Sequence, residues 1–469
     1  MINILYPVCK SDNTEYKYFA PFLNRLSDHL AGLNINLTYL LFSRHFIDYI
    51  KSKIAILGED CLDESKSISE FENEYDFSFK AILYSDLLQT SEFVVKTRDR
   101  NWYIPDKEFI EKDIYKNKLN QIAELFRNNK YSFVFSDQTP DFEQSFIQYV
   151  CIKNNIPFIR YLGNFINRGF FMSFSKERNG KIVDADISTI DKNAIQTFVN
   201  NYRNGKKSNI YNLNENNLKL YEPSQQPLWK RLINKKPKDY LFSSEIRLKD
   251  FYIKRVEKGI KAFYYDNYDK NEKYIYYGLH LTTESHIALE SYPYINQINV
   301  IELISRALPF GYTLYVKPHP WWAHTIGLNS LKQIKKIPSV KVIHPNIPIK
   351  TIIKNSGGIV TLNATTGVEA LILGKPVVAL SVTNSYTQYH PNAELCTNLY
   401  DLPRMISKMI KTKVAHDTTI EYLSKMFSYT SDVRLESDRF LSVEDAEKKA
   451  VKFAKCIEIV IKQYSKNLK

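Results

Sequence analysis

Apolar residues in the first half of the chain come in short runs separated by amphipathic stretches. Residues 2–7 form an apolar run typical of a strand, and residues 18–32 have the spacing of a helix. Further along, a strand-like run at 131–136 is followed by a helical stretch at 142–154 and by a second strand that begins at residue 155. Strand, helix and strand in close succession predict a βαβ unit, and therefore a parallel sheet.

The second half repeats this alternation more regularly. Strands are predicted at 273–278, 312–317, 358–363 and 376–381, with helical stretches between them. Such alternation is typical of a doubly wound domain, in which ligands bind at the carboxyl ends of the strands. The predicted fold class is therefore α/β, with two Rossmann-like domains and a helical tail.

A polar region separates the two halves. Residues 175–227 are rich in Asn, Ser and Lys and are interpreted as irregular structure or an insertion. We predict an N-terminal domain over residues 1–265, with an irregular and basic insertion near 175–263. A second domain is predicted over 266–415, and the helices of 416–469 are expected to pack back on the first domain.

Basic residues outnumber acidic ones, 64 against 51, and the formal net charge is +13. More than half of this excess lies in residues 229–263, where eleven basic and four acidic side chains are mixed with apolar ones. Such a segment is typical either of a solvated helix face or of a surface that contacts anionic lipids. We predict a peripheral contact with an anionic membrane through 229–263. No nucleic-acid partner is predicted, because the sequence has no known binding module for one.

The five cysteines are far apart and form no Cys-x-x-Cys pair. This pattern favours reduced thiols over a disulfide framework or a zinc site. The first residues are typical of a strand rather than a secretion signal, and no apolar run reaches the ~18 residues that a membrane span needs. These features predict a cytoplasmic protein, whose basic segment allows association with the inner face of the plasma membrane.

The first polar cluster follows a predicted strand and reads Lys317-Pro318-His319-Pro320. The prolines fix a turn and prevent a helix, so that Lys317 and His319 can face one crevice. Both side chains can donate hydrogen bonds to a phosphate. The alternative is an ordinary capped turn with a surface lysine.

The second polar cluster comprises Asn363, Thr365, Thr366, Gly367 and Glu369. A strand is predicted to end near Asn363 and a helix to begin near Thr366, where hydroxyl and backbone N–H groups favour an anion. Gly367 would let a phosphate or another backbone approach closely, and Glu369 could accept hydrogen bonds from ribose hydroxyls. The alternative is a capping box, with Thr366 as the N-cap and Glu369 three residues later. Because both clusters follow strands of one predicted sheet, together they predict a nucleotide pocket.

These motifs also carry a family resemblance. The Lys-Pro-His-Pro turn and the later stretch Thr-Thr-Gly-x-Glu-Ala-Leu-x-x-Gly-Lys-Pro-Val at residues 365–377 resemble bacterial capsule and surface-polysaccharide glycosyltransferases of GT-B type. This group includes the retaining Kdo transferases and, more distantly, bacterial sialyltransferases. The segment Tyr-Gly-Leu-His-Leu-Thr-Thr-Glu at 277–284 is similar to the same group, and the resemblance covers roughly residues 274–391.

The resemblance implies a function. It implies two domains that face a cleft, a nucleotide-sugar donor and an oligosaccharide or glycolipid acceptor held by the N-terminal half. The donor is expected to be a CMP-activated acidic sugar such as Kdo or a sialic-acid-like sugar. By likeness, His319 with Thr365 and Thr366 would hold the donor phosphate, and Glu369 the nucleoside.

Catalytic carboxylates are predicted at Asp137, Asp141, Glu143 and Glu284. Such a group could act as a base on the acceptor hydroxyl or as a nucleophile on the sugar. Asp137 is the preferred candidate because it directly follows a predicted strand. For each of the four, the alternative is a helix cap or a solvated acid.

No metal or resident cofactor is predicted. Asp184 and Asp186 have Asp-x-Asp spacing but lie in the irregular region, and His280, Glu284 and His286 are not spaced to share one face. Lysine, histidine and helix termini can neutralise a leaving phosphate without a metal. Two other functions fit the pattern, namely a sugar-nucleotide epimerase of the UDP-GlcNAc type and a non-enzymatic protein that binds membranes or nucleic acid.

Overall fold

The computed structural model of the chain contains two separate sheets, one mixed and one parallel, with helices on both sides. The residues that the structure describes are 2–8, 16–41, 49–51, 53–56, 66–83, 113–136, 141–163, 169–174, 180–189, 191–204, 262–280, 287, 291–318, 326–362, 364–380, 387–433, 435 and 442–467. The basic segment predicted to contact membranes, 229–263, lies outside this set except for its last two residues. No helix among the described residues combines the length and the apolarity needed to cross a bilayer.

The N-terminal sheet is built around five parallel strands. They are β1 (Ile2–Pro7), β2 (Ile35–Leu41), β3 (Lys53–Ile56), β4 (Phe133–Ser136) and β5 (Phe158–Gly163). Their spatial order is β3-β2-β1-β4-β5, so the chain starts in the middle and moves outward on both sides. The register of β1 on β2 runs from Ile2 opposite Ile35 to Pro7 opposite Leu40.

Three further strands extend this sheet in antiparallel fashion. They are β6 (Gly169–Phe174), β7 (Gly180–Ile182) and β14 (Thr430–Ser431). Gly169 has no room for a side chain, because a Cβ there would lie 2.0 Å from the ring of Tyr161. Since β14 comes from the tail of the chain, residues 430–431 complete a sheet that begins at residue 2.

Helices cover both faces of the N-terminal sheet. They are α1 (Tyr16–Ala31), α2 (Ile68–Tyr75), α3 (Asp113–Asn128) and α4 (Phe142–Lys153). A capping box between Ser67 and Glu70 starts α2. Aromatic rings from α2 and α4 fill one core, where Phe146 packs against Phe71 and Tyr75.

The C-terminal sheet has six strands, all parallel. They are β8 (Tyr274–Gly278), β9 (Thr313–Lys317), β10 (Val340–Val342), β11 (Ile359–Thr361), β12 (Val377–Ala379) and β13 (Ala393–Leu395). Their order β10-β9-β8-β11-β12-β13 is the Rossmann order, with the switch point between β8 and β11. The predicted α/β class with two Rossmann-like units is confirmed.

Helices α6 (Gln297–Ala307), α7 (Leu328–Lys335) and α10 (Leu402–Met409) cover one face of this sheet. Helices α8 (Ile349–Asn355) and α9 (Thr365–Ile372) cover the other. The core under α8 and α9 also contains residues of β5, β6 and β7, so one apolar core joins the two sheets.

The region predicted to be irregular contains a helix, α5 (Lys192–Arg203), which follows the N-cap Asp191. That part of the prediction for 175–227 was wrong, because the Asn-rich composition hides an amphipathic pattern. Ile195, Val199 and Tyr202 lie at helical spacing and are buried. This face joins the core beneath α8 and α9, although α5 precedes the C-terminal sheet in sequence.

The two helices of the tail pack in different places. Helix α11 (His416–Ser428) packs against α5, and Thr419 donates a hydrogen bond to the carbonyl of Leu371 in α9. Helix α12 (Val443–Asn467) lies along α1. There Phe453 stacks on Phe171 of β6 and contacts Phe22 of α1, so the tail closes the N-terminal core.

Candidate functional site

Lys317 is the last residue of β9 and is almost entirely buried, with 3% of its surface exposed. None of the described residues forms a hydrogen bond or an ion pair with its ammonium group. Burial lowers the pKa of Lys317 to about 8, and the nearby Glu369 carboxylate partly opposes this shift. A cation buried without a partner costs free energy, and such a cost is usually offset at a binding site.

Glu369 lies in α9, across from Lys317. Burial raises the pKa of this carboxyl to about 7, against the opposing effects of a hydrogen bond from Tyr202 and the charges of Lys350 and Lys317. The carboxyl and the ammonium influence each other electrostatically, yet they form no ion pair within 4 Å. The Lys317 ammonium therefore carries a positive charge that no carboxylate among the described residues pairs.

The hydroxyl of Tyr276 marks the carboxyl edge of the sheet at this site. Gly278 is the register partner of Lys317, and a Cβ on Gly278 would lie 3.0 Å from the Tyr276 hydroxyl oxygen. The pKa of Tyr276 is raised by burial and by the charge of Glu369. Tyr276, Lys317 and Glu369 therefore converge at the ends of β8 and β9, where an open parallel sheet binds its ligands.

Helix α9 begins at Thr365, with Ala364 as the N-cap and no side chain capping the first turn. The alternative of a capping box made by Thr366 and Glu369 was therefore wrong, because Thr366 is already the second helical residue. Thr365 and Thr366 are half-buried in the first turn, as a helix N-terminus that receives an anion requires.

Gly367 has a packing role that the sequence did not reveal. A Cβ at this position would lie 2.9 Å from the Cγ2 methyl of Thr387 and 3.5 Å from that of Thr361. The glycine therefore lets α9 approach β11 closely. Whether a phosphate also comes near Gly367 stays a prediction.

Two residues that the sequence did not single out complete the site, Tyr202 on α5 and Lys350 on α8. The Lys350 ammonium lies 3.6 Å from the centre of the Tyr202 ring, and Tyr202 is one of the groups that lower the pKa of Glu369. Burial lowers the pKa of Lys350, while Glu369 opposes the shift. The helical spacing of Tyr202 with Ile195 and Val199 was the only signal of its burial.

The loops at the switch point are tied together by Gln297 and His280. The Gln297 side chain accepts from the backbone N–H of His280 and donates to its carbonyl, both at 2.7 Å. The His280 ring in turn accepts from the backbone N–H of Leu362 at 3.4 Å. This chain of hydrogen bonds spans β8 and β11 just before α9, and it positions the His280 ring between them.

The remaining predicted residues are distributed as follows. Asp141 caps α4, accepting from the Gln144 N–H at 2.8 Å, and Glu143 is buried in an ion pair with Lys118. Both therefore lie at the start of α4, beside the N-terminal sheet. Asp137, Glu284, His319, Pro320 and Asn363 lie outside the described residues. No group of three or more metal-ligating side chains occurs in the described part of the chain.

Comparison with protein families gives an independent result. Residues 190–387 match the model of a family described as capsule polysaccharide biosynthesis protein. The match confirms the predicted resemblance to capsule polysaccharide biosynthesis proteins over these residues. The segment begins just before α5 and contains Tyr202, Lys317, Lys350 and Glu369, so the whole site lies within it.

Similarity to individual proteins is lower. No curated protein matches the sequence. Among solved structures, a glycosyltransferase from Rickettsia africae ESF-5 is 10% identical over 98% of both chains, with a TM-score of 0.27. The beta Kdo 2,4 transferase KpsC of Thermosulfurimonas dismutans is 11% identical over 68% of this chain and 87% of its own, with a TM-score of 0.35. The UDP-GlcNAc 2-epimerase from Methanocaldococcus jannaschii is 14% identical over 91% and 99%, with a TM-score of 0.27. These similarities are too low to assign an activity.

Proposed function

We propose that this glycosyltransferase moves an acidic sugar, such as Kdo or a sialic-acid-like sugar, from a CMP-activated donor onto a surface polysaccharide or glycolipid. The observation that carries the proposal is the buried ammonium of Lys317, which has no partner among the described residues and lies beside Glu369 at the carboxyl edge of the sheet. The family match over the same residues supports it.

A nucleotide phosphate fits this site electrostatically. Its oxygens would accept charge-assisted hydrogen bonds from Lys317. The N-terminus of α9 points its first N–H groups and its positive dipole end towards the same edge. Together these groups compensate the cost of burying the lysine. Glu369 remains on the other side, where a carboxylate can accept hydrogen bonds from ribose hydroxyls.

The same groups would assist the transfer itself. Negative charge grows on the donor phosphate as the sugar leaves, and preorganised donors at Lys317, His319 and the first turn of α9 would stabilise it. No resident cofactor is proposed, because the nucleotide sugar enters as a substrate. Asp137, which is preferred, and Glu284 remain proposed as the groups that act on acceptor or sugar. Asp141 and Glu143 instead fit the structural alternative, because Asp141 caps α4 and Glu143 is buried in an ion pair with Lys118.

Thermal unfolding with a panel of nucleotides tests the proposal. CMP at about 100 times its Kd should stabilise the protein by ~2.7 kcal/mol, whereas UDP and GDP should do less. Lys317→Met should abolish this stabilisation. Lys375→Met is the matched control, because Lys375 is also partly buried but its ammonium donates to the carbonyl of Ser356 at 2.7 Å. Selective stabilisation by UDP would contradict the CMP donor and favour the epimerase alternative.

Measurements of the transfer rate test the residues that are proposed to bind the phosphate of the nucleotide-sugar donor. We expect His319→Ala and Thr366→Ala each to lower the transfer rate by about 10²–10³ while leaving the melting temperature within a few degrees, because each removes a donor to the leaving phosphate. Thr366→Ser, which keeps the hydroxyl, should retain most of the rate. Near-normal transfer by both alanine variants would move the donor site elsewhere.

We also propose that residues 229–263 hold the enzyme on an anionic membrane face, where lipid-linked acceptors are found. Each basic residue near such a surface contributes about 1 kcal/mol, and the attraction weakens as salt shortens the Debye length. Sedimentation with anionic vesicles should therefore succeed at low salt and fail at high salt. Replacing Lys230, Arg231, Lys235 and Lys236 by Ser should abolish it, and unchanged sedimentation of that variant would contradict the proposal.

A further inference from the structure

A cavity of about 440 Å³ lies at the amino edge of the N-terminal sheet, where β1, β2 and β3 begin. The last turns of α1 and the link between α3 and β4 form the rest of its wall. Ligand pockets commonly enclose ~300–1,000 Å³, so the cavity is large enough for a small ligand. No residue of the Lys317 site lines it, and the two sites are therefore separate.

Two asparagines lie side by side in this cavity. Asn3 of β1 and Asn36 of β2 are opposite each other in the parallel register. The Asn36 Nδ2 donates to the Asn3 Oδ1 at 3.2 Å, and the Asn3 Nδ2 donates to the Lys130 carbonyl at 3.3 Å. These bonds use one donor of each amide and one lone pair of Asn3. Both side chains therefore keep a donor and an acceptor for a ligand.

Hydroxyl groups and a small apolar surface complete the lining. Tyr131 is 8% exposed, and its hydroxyl has no hydrogen-bond partner among the described residues. Burial raises the pKa of Tyr131 to about 12, so its hydroxyl stays protonated at neutral pH and can donate. A buried hydroxyl without a partner costs free energy, which a ligand can offset. The other hydroxyls belong to Ser27 and Thr38, and the apolar groups to Ala31, Ile35 and Leu37.

The charged side chains of the lining are all positive. Lys53 and Lys130 are exposed, and neither ammonium is paired with a carboxylate among the described residues. No aspartate or glutamate is among the described residues that line the cavity. One role for the two lysines is to offset the partial negative charge of the carbonyls where α1 and α3 end. The other is to attract an anionic ligand.

This combination of groups matches the chemistry of a sugar. A sugar ring carries hydroxyls that both donate and accept hydrogen bonds, as asparagine amides do. Its C–H groups can pack on an apolar surface such as the one that Ile35 and Leu37 provide. A carboxylate on the ring would add charge-assisted hydrogen bonds to the lysines.

We propose that this cavity binds one unit of an acidic saccharide, with its hydroxyls on Asn3 and Asn36 and its carboxylate near Lys53 and Lys130. The binding itself does not depend on the nucleotide site. That the saccharide is part of the acidic polymer to which this chain adds sugar rests on the proposed function.

The first experiment compares ligands on the full chain by saturation-transfer NMR titration. N-acetylneuraminic acid should bind about tenfold more tightly than its methyl ester, because only the acid offers a negative charge to the lysines. Acetate and inorganic phosphate, which carry charge without the sugar hydroxyls, should bind more weakly than the acid by at least about tenfold. Equal affinity for acid and ester would overturn the acidic class. Affinity for acetate or phosphate equal to that for the acid would overturn the saccharide, and no binding of the acid would overturn the site.

The second experiment locates the binding with variants. Lys53→Met combined with Lys130→Met should weaken binding of the acid about tenfold and that of the ester by less than about twofold. Asn36→Ala should weaken binding of both by about fivefold. The matched control combines Lys51→Met with Lys153→Met, which lowers the net charge equally at two exposed lysines outside the lining. Unchanged binding in both cavity variants, or an equal loss in the control, would overturn the assignment to this cavity.

A third measurement connects the cavity to transfer. Wild type should show a lower KM for long acidic oligosaccharide acceptors than for short ones, because only a long acceptor reaches a second site. The Lys53→Met and Lys130→Met double variant should lose most of this difference, and a retained difference would overturn the role in holding the polymer. Absence of transfer to any acceptor would overturn the proposed function, whereas the titrations decide the binding of the saccharide independently.

Discussion

The two sheets share the strand order of a Rossmann unit but treat their buried charges differently. At the end of the N-terminal sheet, the carboxylate of Glu143 is 1% exposed and is paired with the Lys118 ammonium. At the corresponding edge of the C-terminal sheet, Lys317 is buried and Glu369 is half-buried, and no ion pair within 4 Å joins them. A compensated charge supports the fold, whereas an uncompensated charge indicates a place for a ligand.

The largest expected difference is in the free energy of unfolding of two variants, each of which loses one lysine at one of the two edges. Lys118→Met leaves the Glu143 carboxylate buried without its partner and should lower the free energy of unfolding by ~3 kcal/mol. Lys317→Met removes a cation without a partner and should leave stability unchanged or raise it by ~1 kcal/mol, while nucleotide stabilisation is lost. Urea titrations of both variants measure the difference.

Lys153→Met provides the control, because Lys153 is an exposed lysine on the same helix as Glu143. It should change stability by no more than ~0.5 kcal/mol. If Lys317→Met proved as destabilising as Lys118→Met, the two edges would not differ in the way described.

The next largest effect concerns how the free energy of unfolding changes with pH, which depends on the buried charges of the C-terminal edge. Stability should fall as pH rises towards about 7, where Glu369 must ionise in the folded protein. It should rise again above about 8, because the pKa of Lys317 in the folded protein lies below the ordinary lysine value of 10.5 and folding then favours the neutral amine. The result is a minimum between these values, with limbs on the order of 1–2 kcal/mol. Lys317→Met should remove the alkaline rise, and persistence of that rise would assign it to another group.

The smallest effect concerns Gly367. Gly367→Ala should lower stability by ~1 kcal/mol, because the added methyl meets the Thr387 Cγ2 at 2.9 Å and outweighs the better helix propensity of alanine. Thr387→Ser removes that methyl and keeps the hydroxyl, so the double variant should recover most of the loss. Strict additivity of the two substitutions would show that the contact is not responsible.

Part of this architecture follows from local patterns. The strand that ends at Lys317 and the helix that begins near Thr366 were predicted, because each is a continuous run with its own periodicity. The Asn-rich segment of α5 was not predicted, since its apolar stripe has only three members and its partners lie on other elements. The contact of the Lys350 ammonium with the Tyr202 ring joins residues far apart in sequence, and no local rule places them together. Likewise, the crowding that requires glycine at Gly367 depends on Thr387, which follows a later strand.

The packing of α12 on α1 has a consequence for the order of folding during translation. Residues 274–395 hold every strand of the C-terminal sheet in one uninterrupted stretch, so that sheet can assemble as soon as they leave the ribosome. The N-terminal sheet is completed later, because its strand β14 and its core residue Phe453 are translated only after all strands of the second sheet. Until then the α1 face of its core is open to water, which makes the nascent first half a natural client for a chaperone.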